Sequence, residues 1–300
     1  MAAITSANVA QAIVKLVAAE ALEALVANLV MGNLVNRQYE PLLANAGDTV
    51  NVAIPPTLVA NDLGEGGTVA EQNPNLGNAQ LVLNKHKECT FRIPDVTKAL
   101  ATPDLVKTYM KPAINALGEQ IESDILSLYG NFTANTPVGA ANTTITEAVI
   151  DSAETALFSA KLPASEAKIL IVDALTYAAM RQIPKFQSWT NTGQQGIDAI
   201  LQGQLMKIKD FFVFRSQLVV KTGNNTHNLA FAKDAIGLIM RKLDAPLAGT
   251  GAIVEYAEIG NFGVRVTLSY DASTLSQRFT VDVLYGVGVL RNQFAVQVNT

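Results

Sequence analysis

Cysteine is almost missing from this sequence: Cys89 is the only one in 300 residues. No intrachain disulfide can form, and no cysteine-rich zinc site can be built. Histidine is nearly as scarce, with His86 and His227 far apart along the chain. Neither stands in a catalytic or metal-binding motif, and neither G-x-S-x-G nor H-E-x-x-H occurs. "GEGG", from Gly64 to Gly67, lacks the Lys-Ser/Thr that a phosphate loop requires and reads as a turn cluster. "HKEC", from His86 to Cys89, supplies at most half of a tetrahedral metal site. Glu255 with Glu258, or Asp271 with Asp282, could be posed as paired carboxylates, but chance pairs of this kind are common. On these residues the expectation is no enzyme, no metal and no cofactor.

Charge is also short. Charged residues make up 16% of the chain while hydrophobic ones make up 49%; an ordinary soluble domain carries about a quarter charged. The deficit points to a surface largely covered by partners. The net charge is −4, and the longest basic cluster is Lys85-His86-Lys87. A nucleic-acid-binding module shows a basic face or stripe, so direct, tight DNA binding is not expected. From Gln38 to Asn84 there is no Lys or Arg at all, against five acids: Glu40, Asp48, Asp62, Glu65 and Glu71. The apolar stretch Val9 to Met31 is interrupted by Lys15, Glu20 and Glu23, which argues against a membrane span. With no basic region before it, the chain reads as cytosolic when made.

Against these absences stand several clear patterns. Residues 5–31 place Val9, Ile13, Leu16, Val17, Leu22, Leu25, Val26, Leu29 and Val30 near a helical period, with Gly32 as a cap. Residues 47–95 begin and end in strand-like alternation. Val50, Val52 and Ile54 share one face of an outgoing strand; Leu81, Leu83, Cys89, Phe91 and Ile93 share one face of a single returning strand, interrupted by Lys85 and Lys87. Between them lies a long loop rich in Gly, Asn and Pro, and loops of that length are usually functional or disordered. An isolated two-stranded ribbon is marginal in water, so this one needs a surface to lie on.

Residues 102–129 predict the longest helix. Thr102, Pro103 and Asp104 form a helix start, and Gly130 ends it. Val106, Met110, Ile114, Leu117, Ile121, Ile125 and Leu128 fall on one stripe. About 27 residues at 1.5 Å each give a rod of roughly 40 Å. Pro112 lies inside it and should bend it, because its ring removes one backbone donor. Lys107 and Lys111 near the start, and Glu119, Glu122 and Asp124 near the end, all oppose the helix dipole. Packing must therefore hold this helix.

After a polar connection the pattern becomes mixed. A helix is expected from Glu147 to Lys161, a buried strand at Lys168–Val172, and a helix capped by Asp173 reaching about Ile183. A polar loop from Gln187 to Gly196 carries Trp189, the only tryptophan. Strands follow at Phe211–Arg215, Leu218–Lys221 and Leu229–Ala232, then a hairpin around Gly260-Asn261. The tail from Phe279 to Val298 is mostly strand, with Gly286 and Gly288 as breaks.

This order of segments resembles the major capsid proteins of tailed bacteriophages with the Hong Kong 97-type fold, and most closely the short-tailed-phage coat branch. The resemblance covers nearly the whole chain. It is carried by "GDTVNVAIPP" and "TFRIPDVTKAL", similar to the two arms of that family's E-loop. "TPDLVKTYMKPAINALGEQIESDILSLYG" is similar to its spine helix, internal proline included; "NLAFAKDAIGLIMRKL" and "DVLYGVGVLRNQFAVQV" are similar to its late strands. The large inserted domain of some members has no room here.

The resemblance implies an α+β fold divided into an N-terminal arm (residues 1–46), an extended β-hairpin E-loop (47–95), a peripheral-domain spine helix (96–130), an axial α/β domain (131–225), and return strands with a tail (226–300) that can rejoin the axial domain. It implies a self-assembling coat protein that forms pentamers and hexamers in the host cytoplasm and ends in the virion shell. That shell encloses double-stranded DNA without reading its sequence. Scaffolding, portal and cement or decoration proteins are the implied partners. Intersubunit contacts are expected at Asp62, Glu65, Glu71, Val52 and Ile54, and a functional kink at Pro112. An encapsulin-type bacterial nanocompartment of the same fold is the nearest alternative, and an α/β enzyme with an unrecognised site the more distant one.

Overall fold

The computed structural model describes residues 30–42, 49–56, 58–96, 105–163, 165–184, 207–244, 246, 251–259 and 262–300. The expected helix before Val30, the helix start at Thr102 to Asp104 and the Trp189 loop lie outside the described residues.

The described chain begins with one helical turn, α1 (Met31–Leu34). An extended ribbon follows, β1 (Thr49–Ile54) and β2 (Gly77–Val82), paired antiparallel with Val50 opposite Leu81 and Val52 opposite Ala79. Next come β3 (Lys85–Pro94) and the long helix α2 (Leu105–Leu126), which tightens into a 3-10 turn from Ser127 to Asn131. The two-residue strand β4 (Val138–Gly139) precedes α3 (Glu147–Ser159), β5 (Lys168–Val172) and α4 (Ala174–Arg181). The remaining strands are β6 (Lys207–Ile208), β7 (Phe211–Arg215), β8 (Lys221–Thr222), β9 (Asn225–Ala232), β10 (Ile236–Arg241), β11 (Ile253–Ile259), β12 (Phe262–Asp271), β13 (Ser276–Val289) and β14 (Ala295–Asn299).

These strands make two larger sheets. In the first, β13 is the organiser: β12 and β10 pair with it in succession, β11 pairs with β12, and β3 pairs with β13 from Pro94–Ser276 to Lys85–Tyr285. In the second, the order is β4-β14-β9-β5-β7-β6, with β8 beside β9. The C-terminal strand β14 thus returns to the sheet built on β5. All five residues of β5 are buried, the signature of a strand covered on both faces.

The α2 stripe behaves as its spacing predicts. Met110, Ile114, Leu117, Ile121 and Ile125 are buried, and the helix packs on β3 and β13. Fully burying one such side chain contributes about 1.5–3 kcal/mol, enough to override unfavourable charge placement along the dipole. The helix runs unbroken through Pro112, whose ring lies on the exposed side. A single apolar core continues from α2 through β13 to β5, β7 and β9.

Three expectations are corrected here. The returning arm is two strands, not one: β2 closes the ribbon, and β3 belongs to the sheet of β13, with the Phe91 ring stacked on Phe279 at 5.3 Å. Gly286 and Gly288 do not break the tail; both lie inside the continuous fourteen-residue strand β13. The predicted strand at Leu218–Lys221 shrinks to Lys221–Thr222, and the predicted hairpin forms with Ile259 opposite Phe262.

Candidate assembly surface

The excursion from β1 to β2 divides into a base and a tip. At the base, Val50, Val52, Ala79 and Leu81 alternate inward, as period-two side chains must. They pack on Ile239 of β10 and on Leu290, forming a second, smaller apolar cluster. On the opposite face, Asn51 accepts side-chain hydrogen bonds from Asn78 (3.2 Å) and Gln80 (3.1 Å). The surface that the ribbon needs is therefore supplied, at its base, by its own chain. Val52, expected to touch a neighbour, is only 6% exposed and packed internally; Ile54 is half-buried beside it.

The reason this base can sit so close is glycine. Gly237 and Gly288 face each other across β10 and β13, and Gly286 faces Ile239 on the same side. A methyl at Gly237 would lie 2.8 Å from a Leu81 methyl, and one at Gly288 also 2.8 Å from Leu81. One at Gly286 would lie 2.0 Å from the carbonyl oxygen of Val82. A glycine inside a strand commonly marks such a close approach; that signal was available in the sequence, but its partner was not.

The tip differs in burial. All residues from 58 to 78 are exposed. Leu58, Val59, Leu63, Val69 and Leu76 each present at least 60% of their surface. The loop has internal structure nonetheless. Gly67 N–H donates to Gly64 O at 2.9 Å, with Gly66 at φ +82°, where L-residues are strained. Val59 N–H donates to Gln72 Oε1 at 3.0 Å, and the Gln72 amide returns a hydrogen bond to Val59 O. Asp62, Glu65 and Glu71 are all placed on this exposed tip. The result is an ordered, acidic, apolar loop, the type of patch that marks an interaction site.

Titratable groups elsewhere serve as ties between elements. Asp124 on α2 accepts from the buried Tyr285 hydroxyl at 2.6 Å and pairs with Lys85 at 3.0 Å. Burial pushes the Asp124 carboxyl up, but Tyr285 and Lys85 together hold it below its ordinary value. Glu122 accepts from Met31 N–H at 3.0 Å and from Val30 N–H, so α2 fixes the start of α1. Its carboxyl is raised, chiefly by burial. Two of the acids that oppose the α2 dipole, Glu122 and Asp124, are thus its attachment points. Asp282, almost wholly buried, is held by Arg265 (Nε at 2.9 Å) and His86 (2.8 Å), joining β3, β12 and β13. Asp173 caps α4 and meets Lys221 at 2.8 Å. The His227 ring stacks on Tyr129 at 4.2 Å.

Among the described residues, no group of three or more His, Cys, Asp or Glu could hold a metal. A groove of about 430 Å³ is lined by Thr136, Val138, Asp151, Ser152, Thr155 and Ala156. Its Ser152 and Thr155 hydroxyls are bonded to helix carbonyls, and its Asp151 is paired with Lys209. No described helix is long and apolar enough to cross a membrane.

No protein-family model matches the chain, and no curated protein matches it in sequence. Solved structures do. A chain of Mycobacterium phage Che8 superposes with a TM-score of 0.68 at 18% identity, covering 90% of each chain. The capsid of an empty GTA particle gives 0.62 at 11% identity, over 91% of this chain and 90% of that one. The capsid of cyanophage P-SCSP1u gives 0.57 at 15% identity, over 84% and 83%. This is a phage-capsid fold. A fold can persist at identity this low because volume and patterning, more than particular side chains, specify a core. Fold alone does not fix function, so the surface chemistry of the ribbon has to carry that step.

Proposed function

We propose that this chain is a major capsid protein that assembles, as pentamers and hexamers, into the icosahedral shell of a double-stranded DNA phage. The observation that carries the reading is the likeness to capsid chains over nine-tenths of the length of both partners. The exposed, ordered tip of the ribbon supports it independently. In this reading residues 58–76 are the working end of the E-loop and lie on an adjacent subunit. Leu58, Leu63 and Val69 meet its apolar surface, and Asp62, Glu65 and Glu71 meet a neutral or basic one.

The helix α2 is then the spine of the peripheral domain, with β3 and β10 to β13 beneath it. The second sheet is the axial domain, rejoined by β9 and β14. Pro112 is the point at which the spine bends when a precursor shell expands. Contacts worth about 4–8 kcal/mol each suffice when every subunit makes several, and their weakness lets misplaced subunits leave. The role is structural, with no catalytic step. The acidic balance keeps an inner wall from gripping the genome, because each neutralised phosphate adds affinity. Scaffolding, portal and cement proteins complete the particle.

Electron microscopy of the expressed full chain, alone and with its scaffolding partner, tests this directly. Shells or capsomers of megadalton size are expected, and genomic DNA inside native particles. A small, closed oligomer under both conditions would overturn the reading. An enclosed enzyme in place of DNA would shift it to an encapsulin-type compartment. Covalent cross-linking is not expected: the loop tip carries no lysine, and the nearest, Lys85 and Lys87, lie on β3, with Lys85 engaged by Asp124. Denaturing gels of mature particles should show monomer, not a ladder.

A further inference from the structure

We infer that Leu81 and Val82, with the three glycines facing them, Gly237, Gly286 and Gly288, form a seat that sets the direction of the ribbon and hence the reach of its tip. The consequence for assembly rests on the reading of the tip as an intersubunit contact; the seat itself lies within one chain. None of these glycines adopts the left-handed conformation that would demand glycine; the positive-φ glycines among the described residues are Gly66, Gly139, Gly223 and Gly251. What demands glycine at the seat is space. Three glycines in two neighbouring strands weaken those strands, and the return on that face is the approach of Leu81 and Val82, with Leu290 also close to Gly237. Leu81 is fully buried there, with both of its methyls against Gly237.

The ribbon's apolar cluster is separate from the main core and shares with the body chiefly Ile239 and Leu290. Beyond Val82 the ribbon joins the body through only Leu83 and Asn84 before β3 begins. A short connection of that kind leaves the angle of the ribbon to be fixed by whatever it rests on. Because the turn at Gly64–Gly67 lies well out from Thr49 on one arm and from Val82 on the other, a small tilt at the seat becomes a larger displacement at the tip. The seat is thus a positioning device acting through geometry, while the tip makes the contact.

The glycines are not equivalent, and that makes the idea testable. A methyl at Gly237 or Gly288 meets the flexible end of Leu81, whereas one at Gly286 meets the Val82 backbone. Hydrogen exchange on the full chain before assembly, read at residues 49–54 and 77–82 and referenced to the buried strand 168–172, resolves the difference. Gly286→Ala should cost on the order of a hundredfold in ribbon protection, with Leu81→Ala adding its own loss on top. Gly288→Ala should cost about tenfold, and combined with Leu81→Ala it should be no looser than Leu81→Ala alone, because the shortened side chain vacates the contested space.

Unchanged ribbon protection in Gly286→Ala, additive effects of Gly288→Ala and Leu81→Ala, or equal loosening of residues 168–172 in every variant would each overturn the seat. Particle assembly is scored separately. A loosened ribbon with missing or misshapen particles supports both ideas. A loosened ribbon with normal particles keeps the seat and removes the tip from the assembly contact.

Discussion

The base and the tip of the ribbon are built from the same kinds of residue and end in opposite situations. Val50, Val52, Ala79 and Leu81 are buried against Ile239 and Leu290 of their own chain. Leu58, Leu63, Val69 and Leu76, a few residues further on, stand in the open. The separation is made by backbone chemistry. Pairing from Thr49–Val82 to Ile54–Gly77 ends just before Pro55 and Pro56, where the missing N–H of proline stops a ladder. Up to that point the apolar residues close the fold of the chain. Past it they are of use only to something outside the chain.

Substitutions at the two ends should therefore separate stability from assembly. The largest loss of stability is expected at the base: Val52→Asp places an unpaired carboxylate in an apolar cluster and should cost about 3 kcal/mol or more. A denaturant midpoint unchanged from wild type would show that the ribbon is not seated as described. Next is the tie to the long helix. Asp124→Asn should cost roughly 1–3 kcal/mol at neutral pH by weakening the bonds from Tyr285 and Lys85.

This second variant also carries a pH signature. The folded Asp124 carboxyl lies below its ordinary value, so its stabilisation is complete above about pH 4 and is lost as pH falls through the folded value. Asp173, where burial is outweighed by Lys221 and two backbone N–H groups, adds loss in the same window. Glu122 runs the other way. Its raised carboxyl favours folding at low pH, and that contribution disappears as pH rises through the raised value. Asp124→Asn should therefore lose less stability than wild type between about pH 7 and about pH 3. Equal losses would mean that the tie does not titrate as placed.

Smaller still is the effect at the tip on the folded chain. Replacing Leu58, Leu63 and Val69 together by Ser should change the unfolding free energy by less than about 0.5 kcal/mol per site while abolishing particles. Reversing Asp62, Glu65 and Glu71 to Lys should leave folding nearly untouched and reduce particle yield. Normal particles from the charge reversal would remove those acids from the contact. Intact particles from both variants would return the tip to the status of an ordinary surface loop.

Much of the architecture was legible because one face of each element is buried. The α2 stripe, the fully buried β5, the Asp173 cap and the outward strand of the ribbon all follow from spacing. The boundary between β2 and β3 was not legible, because the alternation from Leu81 through Leu83 and Cys89 to Ile93 keeps the same parity across it. What divides them is pairing with β13, nearly two hundred residues away, as in the contact of Thr90 with Thr280 at 3.0 Å. Gly286 and Gly288 misled for a related reason. A glycine in isolation reads as a break, and only the positions of Leu81 and Val82 show it to be a clearance. The acids near the end of α2 looked misplaced until Val30, Met31, Lys85 and Tyr285 arrived beside them. At the candidate site, the composition of the tip could be read directly, but which apolar residues were already occupied could not.

Neighbouring residues on β13 point to opposite sides of the sheet. Tyr285 reaches down to the helix through Asp124, while Gly286 lies directly under the backbone of Val82. Lys85, just past the ribbon, grips the same carboxylate. A tug on the outstretched tip is thus delivered to a strand one residue from the bolt that fastens the rod, with almost no slack in between. Load arriving from outside would be shared by the rod and the sheet as one stiff plate, and would not be dissipated in a pliable stalk.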